Sequence, residues 1–417
     1  KNCYMVFSAW HIETVMYSAY FAPGSKDVMD CLNVLAPTQW QYECINCDES
    51  YRLKNSQASV ACTDSAFLYD CRNCFNCFMC TGLRNKKYHF KNQQYSKEEY
   101  EKILKEYHLE TCSGVQKAQA EYDQFILDYP RRFAYIYQSL NSTGDLLYNA
   151  KNSKLCFNVP GTENCKFIDN GDRPKDTYDC STTGELSECY DGITVDHSQR
   201  NFWGIFTVKS QDVQYTQHCH SSKHLFGCIG LRSAEYCILN KQYSKEDYQS
   251  LKAKIMEDMK NRGEYGEFYP AKFSPFGYNE TVAPDHFSLT KEEAIEKGFK
   301  WQDNTQRTTG KETIKPEDVP DAIADIQDSI TNEILKCVGC ERNYKIIPNE
   351  LLFYQQMALP IPRMCFYCRH AARIARRNPY KLWHRKCAKC DNEFETSYSP
   401  KRKEIVYCES CYQAEIS

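Results

Sequence analysis

Through the first 240 residues the apolar positions never hold a helical face for long, because short Asn, Asp and Ser turns such as Tyr69-Asp70-Cys71 and Asn73-Cys74 interrupt them. The most regular apolar beat is cysteine: Cys62, Cys71 and Cys80 stand nine apart, as do Cys156 and Cys165, Cys180 and Cys189, and Cys219, Cys228 and Cys237. Nine-residue spacing suits a β-solenoid with a coil of about 18 residues in two faces, each coil stacking its inward side chains on the next at ~4.8 Å. On that reading most of these thiols are core packing, since free Cys behaves as a small hydrophobe.

A longer repeat is superimposed. Gly82 to Tyr100 matches Gly230 to Tyr248 at 11 of 19 positions, and Cys71 and Cys80 map onto Cys219 and Cys228, so the N-terminal region reads as a duplication. Each copy ends in a helix start. Ser96 with Glu99, and Ser244 with Asp247, place an N-cap hydroxyl and an acidic residue before Tyr100, Ile103 and Leu104 or Tyr248, Leu251 and Ile255. These helices are expected to close the ends of the stacked repeats, which otherwise expose unpaired strand edges. Residues 115–140 predict a second amphipathic helix, Thr290 and Glu293 another capping box with Gly298 as its stop, and Asn304–Lys315 a polar linker.

The expected fold is therefore mainly β: duplicated β-solenoid-like cysteine-rich repeats with capping α-helices, plus a C-terminal double zinc ribbon. Its segments are 1–95 (first cysteine-rich repeat), 96–145 (helical insertion), 146–243 (second cysteine-rich repeat), 244–335 (capping helix and linker) and 336–417 (zinc ribbons).

Composition sharpens this. The 417 residues hold 25 cysteines, an odd number with many as C-x-x-C, which favours metal ligation or reduced thiols over a secreted disulfide framework and points to a reducing, cytoplasmic setting. No stretch approaches the roughly 18–20 apolar residues that a spanning helix needs. The chain opens at Lys1 without an initiator Met, so the natural N-terminus is expected to lie upstream and targeting signals are not observable. A net charge of −3 hides polarity, because Cys337 to Ser417 carries 14 Lys+Arg against 8 Asp+Glu.

That C-terminal region holds the strongest chemical signal. Cys337-x-x-Cys340, Cys365-x-x-Cys368, Cys387-x-x-Cys390 and Cys408-x-x-Cys411 are four knuckles, enough for two Zn2+ sites. The expected sets are Cys337, Cys340, Cys365 and Cys368 for one ion and Cys387, Cys390, Cys408 and Cys411 for the other, although interleaved pairing is an alternative. Four thiolates leave no open position for water, so such sites are structural.

Across the second knuckle and into the third, Arg363 to Lys389 holds nine Lys+Arg and no acid. Arg369, Arg373, Arg376 and Arg377 lie on or near one face of a short helix ending before Pro379, and Tyr380 and Trp383 could stack on bases. The reading is RNA or DNA binding, ribosome association included, with Arg369, Arg373, Arg376, Arg377, Lys381 and Arg385 on phosphates and Trp383 stacking. The alternatives are a helix that docks within the protein or on another, giving an interaction or self-assembly scaffold, and a solvated face.

Cys71-x-x-Cys74-x-x-Cys77-x-x-Cys80 invites an iron–sulfur or further zinc reading and a redox or metal-handling role. It departs from the ferredoxin run, and the second copy has Ser222 and Leu225 at the middle positions, so turn or core thiols are the favoured reading. His218, Cys219, His220 and His224 form a histidine cluster that reads as strand or surface histidines before metal ligands. No nucleotide loop, nucleophile elbow or H-E-x-x-H motif is present, and nothing pairs Asp64, Asp70, Glu185 and Asp191 in sequence. Nothing in the sequence points to catalysis, a small-molecule substrate or a membrane.

The segments Gly230–Tyr248, Ser274-Pro-Phe-Gly-Tyr-Asn-Glu-Thr-Val-Ala283, Pro360-Ile-Pro-Arg363, Asn378-Pro-Tyr-Lys-Leu-Trp-His-Arg-Lys-Cys387 and Glu404-Ile-Val-Tyr-Cys-Glu-Ser-Cys411 together resemble an uncharacterised group of cysteine-rich repeat proteins with zinc-ribbon domains from uncultivated bacteria. The resemblance spans nearly the whole chain. It implies the architecture above, with a further ribbon ahead of the repeats, and carries no activity with it.

Overall fold

A computed structural model describes residues 3–9, 12–21, 26–32, 39–47, 49–305 and 307–416. The fold is mainly β and divides into two compact units, the first made of Lys1–Arg131, Asn304–Asn378 and Lys403–Ser417, the second of Arg132–Asp303 and Pro379–Arg402.

In the first unit nine strands from Tyr4–Ala9 to Gln93–Gln94 pair in sequence order. All neighbours are parallel except the last, where Lys87–Phe90 and Gln93–Gln94 form an antiparallel hairpin. The register corrects the expected coil. Tyr51, Thr63, Phe75 and Lys87 are successive partners, a step of twelve residues and not eighteen. Pairing recurs at every third position within that step, as Thr63, Ala66, Tyr69 and Arg72 meet Phe75, Phe78, Thr81 and Arg84. Nearer the N-terminus, between Glu13 and Ile45, the step is thirteen, as in Glu13↔Lys26, Val28↔Gln41 and Leu32↔Ile45.

The side chains follow the same three-residue beat. From Cys44 to Cys80 every third residue, including Ser50, Leu53, Ser56, Ser59 and Cys62, is buried, none more than 3% exposed. Each inward residue is preceded by one with positive φ, among them Asn46, Asn55, Asp64, Asp70, Asn73 and Asn76. Asn and Asp tolerate this left-handed backbone best among residues with a Cβ, which explains why they punctuate the sequence.

Cysteine and serine predominate at these inward positions. Ser50, Ser56, Ser59 and Ser65 accept hydrogen bonds from the N–H groups of Cys62, Leu68, Cys71 and Cys77 at 3.0–3.3 Å. The thiols donate: Cys62 Sγ lies 3.5 Å from the Cys71 carbonyl oxygen. That contact is the physical content of the nine-residue spacing, and it recurs from Cys219 to Cys228 and from Cys228 to Cys237, each at 3.4 Å.

On its outer side the same sheet carries larger residues. Met16, Tyr17, Met29 and Tyr42 share a core with Ile346, Leu351, Tyr354 and Leu359, which fixes the segment bearing the first two cysteine knuckles. The closing helix forms as expected. Lys97–Glu106 starts at Ser96, whose hydroxyl accepts from the Glu99 N–H at 3.2 Å while the Glu99 carboxylate accepts from the Ser96 N–H at 2.9 Å. Its Tyr100 is buried with Phe67 and Phe78. The helix expected over 115–140 is shorter, running Cys112–Phe125 and ending in a 3-10 turn before Pro130.

The second unit repeats the plan. Gly144↔Cys156, Lys166↔Tyr178, Gln211↔Lys223 and Lys223↔Glu235 are parallel steps of twelve. Leu147, Ala150, Ser153, Cys156, Val159, Thr162, Cys165 and Ile168 are buried at every third position. Glu235–Ile238 and Lys241–Gln242 close the sheet with an antiparallel hairpin, and helix Lys245–Asn261 follows with Ser244 as N-cap. The Thr290–Glu293 capping box and the positive φ of Gly298 are also present.

Candidate metal centre

Cys337 and Cys340 sit on the knuckle between the antiparallel strands Leu335–Lys336 and Asn343–Tyr344. The knuckle is held by two backbone bonds, Cys337 N–H to the Arg342 carbonyl and Glu341 N–H to the Cys337 carbonyl, both 2.9 Å. A Cβ on Gly339 would stand 3.4 Å from Cys368 Sγ and 3.8 Å from Cys337 Sγ, so the turn lies against thiols of both pairs. Cys365 is the N-cap of helix Phe366–Arg376, and Cys368 lies in its first turn. One hairpin and one helix start thus present two thiols each.

The four sulfurs lie within 4.8 Å of one another, with Cys340 and Cys365 at 3.7 Å. A tetrahedral ion with metal–sulfur bonds of ~2.3 Å separates its sulfurs by about 3.8 Å, so the arrangement fits such an ion. Burial pushes the Cys337 thiol up, but the N–H groups of Cys365, Cys340 and Gly339 aimed at it prevail and bring it down to about 7, which favours the thiolate a metal requires.

Cys387, Cys390, Cys408 and Cys411 are the second group of thiols that could hold a metal ion. In the second unit Cys387 and Cys390 repeat the knuckle just described: strands Trp383–Lys386 and Glu393–Thr396 flank it, Cys387 N–H donates to the Asn392 carbonyl at 2.9 Å, and Asp391 N–H to the Cys387 carbonyl at 3.0 Å. In the first unit Cys408 and Cys411 stand at the start of helix Glu409–Ile416.

The arginine helix corrects the sequence reading. Arg369 and Arg373 do not face outward: both are buried, and both hold Asp30, with Arg369 Nε 3.0 Å from Oδ2 and Arg373 Nη1 3.0 Å from Oδ1. Arg369 also lies 3.7 Å from the Glu350 carboxylate and over the Tyr17 ring, while Arg373 donates to the Tyr17 carbonyl at 3.4 Å. Arg377 is buried, and Arg376 reaches Gln119 at 3.0 Å and Asp123 at 3.7 Å. The helix periodicity is real, but its charged face answers a buried carboxylate of the sheet.

Asp30, Glu350, Tyr17 and Tyr354 were not legible as partners of that helix. Tyr17 and Tyr354 both donate to Glu350, at 2.8 and 3.0 Å, and burial raises the Glu350 carboxyl to about 7 despite Arg369 beside it. In the second unit Tyr380 is likewise occupied, its ring 5.1 Å from Phe157 and its hydroxyl on Asn170 at 3.0 Å. Arg385 donates to the Ser399 carbonyl at 3.4 Å. Lys381 stays exposed beside the half-buried Trp383, its ammonium 5.4 Å from the ring.

Among the described residues, only the two C-terminal groups bring three or more candidate ligands together. Cys71, Cys74, Cys77 and Cys80 are fully buried, successive inward positions of the sheet. Burial raises the Cys71 thiol well above its ordinary value and those of Cys165 and Cys189 to about 11, so these three are protonated hydrogen-bond donors. His224 is stacked on Tyr236 at 4.8 Å. Among the described residues no helix is long and apolar enough to cross a membrane.

No protein-family model and no curated protein matches the chain. A solved structure of a candidate acetyltransferase from Desulfovibrio desulfuricans G20 aligns at 11% identity over 57% of this chain and 59% of that one, with a TM-score of 0.13, a likeness too slight to carry an argument.

Proposed function

We propose that the chain is a zinc-stabilised, non-catalytic scaffold for self-assembly, in which the parallel repeats wind as β-solenoids of twelve-residue coils. The observation that carries this reading is the burial of Arg369 and Arg373 against Asp30, which takes the centre of the basic run away from any outside polyanion. Two sets of four thiolates saturate their ions and supply rigidity without a reactive position. The buried thiols of the repeats, Cys71 and Cys165 among them, form no disulfide, which suits a reducing compartment such as the cytoplasm. The second unit offers the contact surface, since Tyr178 and Tyr190 are register partners that remain 45% and 37% exposed.

The test is light scattering of the metal-loaded chain over a range of concentrations, alongside a binding assay against mixed RNA. Oligomers that dissociate when Tyr178 and Tyr190 are both changed to Ser support the scaffold. A monomer at every concentration that binds RNA with steep salt dependence overturns it. That outcome belongs to a second reading, RNA or DNA contact, ribosomal RNA included, through Lys381, Trp383 and Arg385, which has in its favour only the surface position of Lys381 beside Trp383.

A further inference from the structure

A cavity of about 640 Å³ opens beside the first four-thiol group, lined by Tyr4, Tyr17, Arg307, Arg342, Lys345 and Tyr367 among others, and Cys365 forms part of its wall. The size falls within the ~300–1,000 Å³ usual for small-molecule sites. Its charge is one-sided. No Asp or Glu is among the described lining residues, and of the four cations there only Arg369 is neutralised, by Asp30.

Arg342 is the best placed of the remaining three. Its own carbonyl is tied to the Cys337 N–H at 2.9 Å, so the metal knuckle sets its position. Its guanidinium lies 4.0 Å from the centre of the Tyr367 ring, and its Nε is buried without a hydrogen-bond partner. A guanidinium supported on a ring keeps its N–H edge available for paired contacts with an oxyanion. Lys345 spends one donor on the Asn332 carbonyl at 3.2 Å and has two more. Tyr4 and Tyr367 remain 45% and 53% exposed, leaving flat aromatic surface next to this charge.

We propose that this cavity binds a nucleoside phosphate, its phosphate oxygens on Arg342 and Arg307 and its base on the ring of Tyr4 or Tyr367. Neither cation belongs to the basic run between the knuckles, so the site is independent of the scaffold reading. A free mononucleotide and the end of an RNA strand share this chemistry, and the test separates them.

Calorimetric titration of the full, metal-loaded chain with AMP, adenosine, inorganic phosphate and an adenosine pentanucleotide RNA is the experiment. AMP is expected to bind about tenfold or more tighter than adenosine or phosphate alone, because base and phosphate contacts are both needed. Arg342→Ala and Tyr367→Ala should each weaken AMP about tenfold with metal content unchanged. Arg307→Ala, in an exposed segment, gives the same reading should Arg342→Ala fail to fold. Tighter binding of the pentanucleotide, lost in the same variants, assigns the site to strand ends and supports the shared chemistry. AMP binding no tighter than phosphate, or unaffected by Arg307→Ala and Tyr367→Ala, overturns the proposal. RNA binding indifferent to these variants counts against the scaffold and not for the cavity.

Discussion

Asp30 is ion-paired with two buried guanidinium groups at once, Arg369 on one carboxylate oxygen and Arg373 on the other, so a single side chain anchors the arginine helix. Asp30→Asn would strand Arg369 and Arg373 as buried charges. The expected loss is about 3–5 kcal/mol, read as a fall in the urea midpoint. A midpoint that stays put would mean the arginines reach water. Glu350 is a second test. Its folded-state carboxyl sits at about 7, above the ordinary value, so the folded chain holds this proton more tightly than the unfolded one. The contribution is complete below the ordinary carboxylate pKa and drains away as pH climbs through about 7. Glu350→Gln should flatten that slope, measured as urea midpoints at pH ~5 and ~8. An unchanged slope would place the titration elsewhere.

The strands depend on a beat of three, and their predictions follow from it. Ser56 supplies the acceptor for the Leu68 N–H, so Ser56→Ala should cost about 1–3 kcal/mol, more than the methyl-for-hydroxyl swap would at the surface. Asn73 has φ 51°, a left-handed conformation that a β-branched side chain resists. Asn73→Val is therefore expected to lower the unfolding midpoint well below that of Asn73→Gly, and equal midpoints would refute the argument. This beat was half legible. Counting cysteines alone exposes the nine-residue interval and implies a step of eighteen, because the Ser, Thr and Leu residues at the intervening third positions carry no distinctive chemistry. The run from Cys71 to Cys80 displays the period openly. Its thiols read as turn or core residues before ligands, and their full burial agrees with the core reading.

For the molecule as a whole, metal is expected to be part of the fold. Elemental analysis should find about two ions per chain, and stripping them with a chelator should lower the unfolding midpoint and open Cys337–Asn378 to proteolysis first. Full metal loss with neither effect would leave the eight thiols without a structural role. These sites were readable from sequence because a tetrahedral ion demands paired thiols at fixed spacing. The partner of the arginine helix was not, since Asp30 lies more than 300 residues earlier and nothing local marks it as a counter-charge. Strand register has one more consequence, for ancestry. Over Tyr51–Phe90 and Gly144–Ile238 a gain or loss of three residues would keep small side chains inward yet slide each rung a quarter step past its neighbour. Only whole dozens preserve both, so lineages of this protein should differ in length by a ruler marked in twelves.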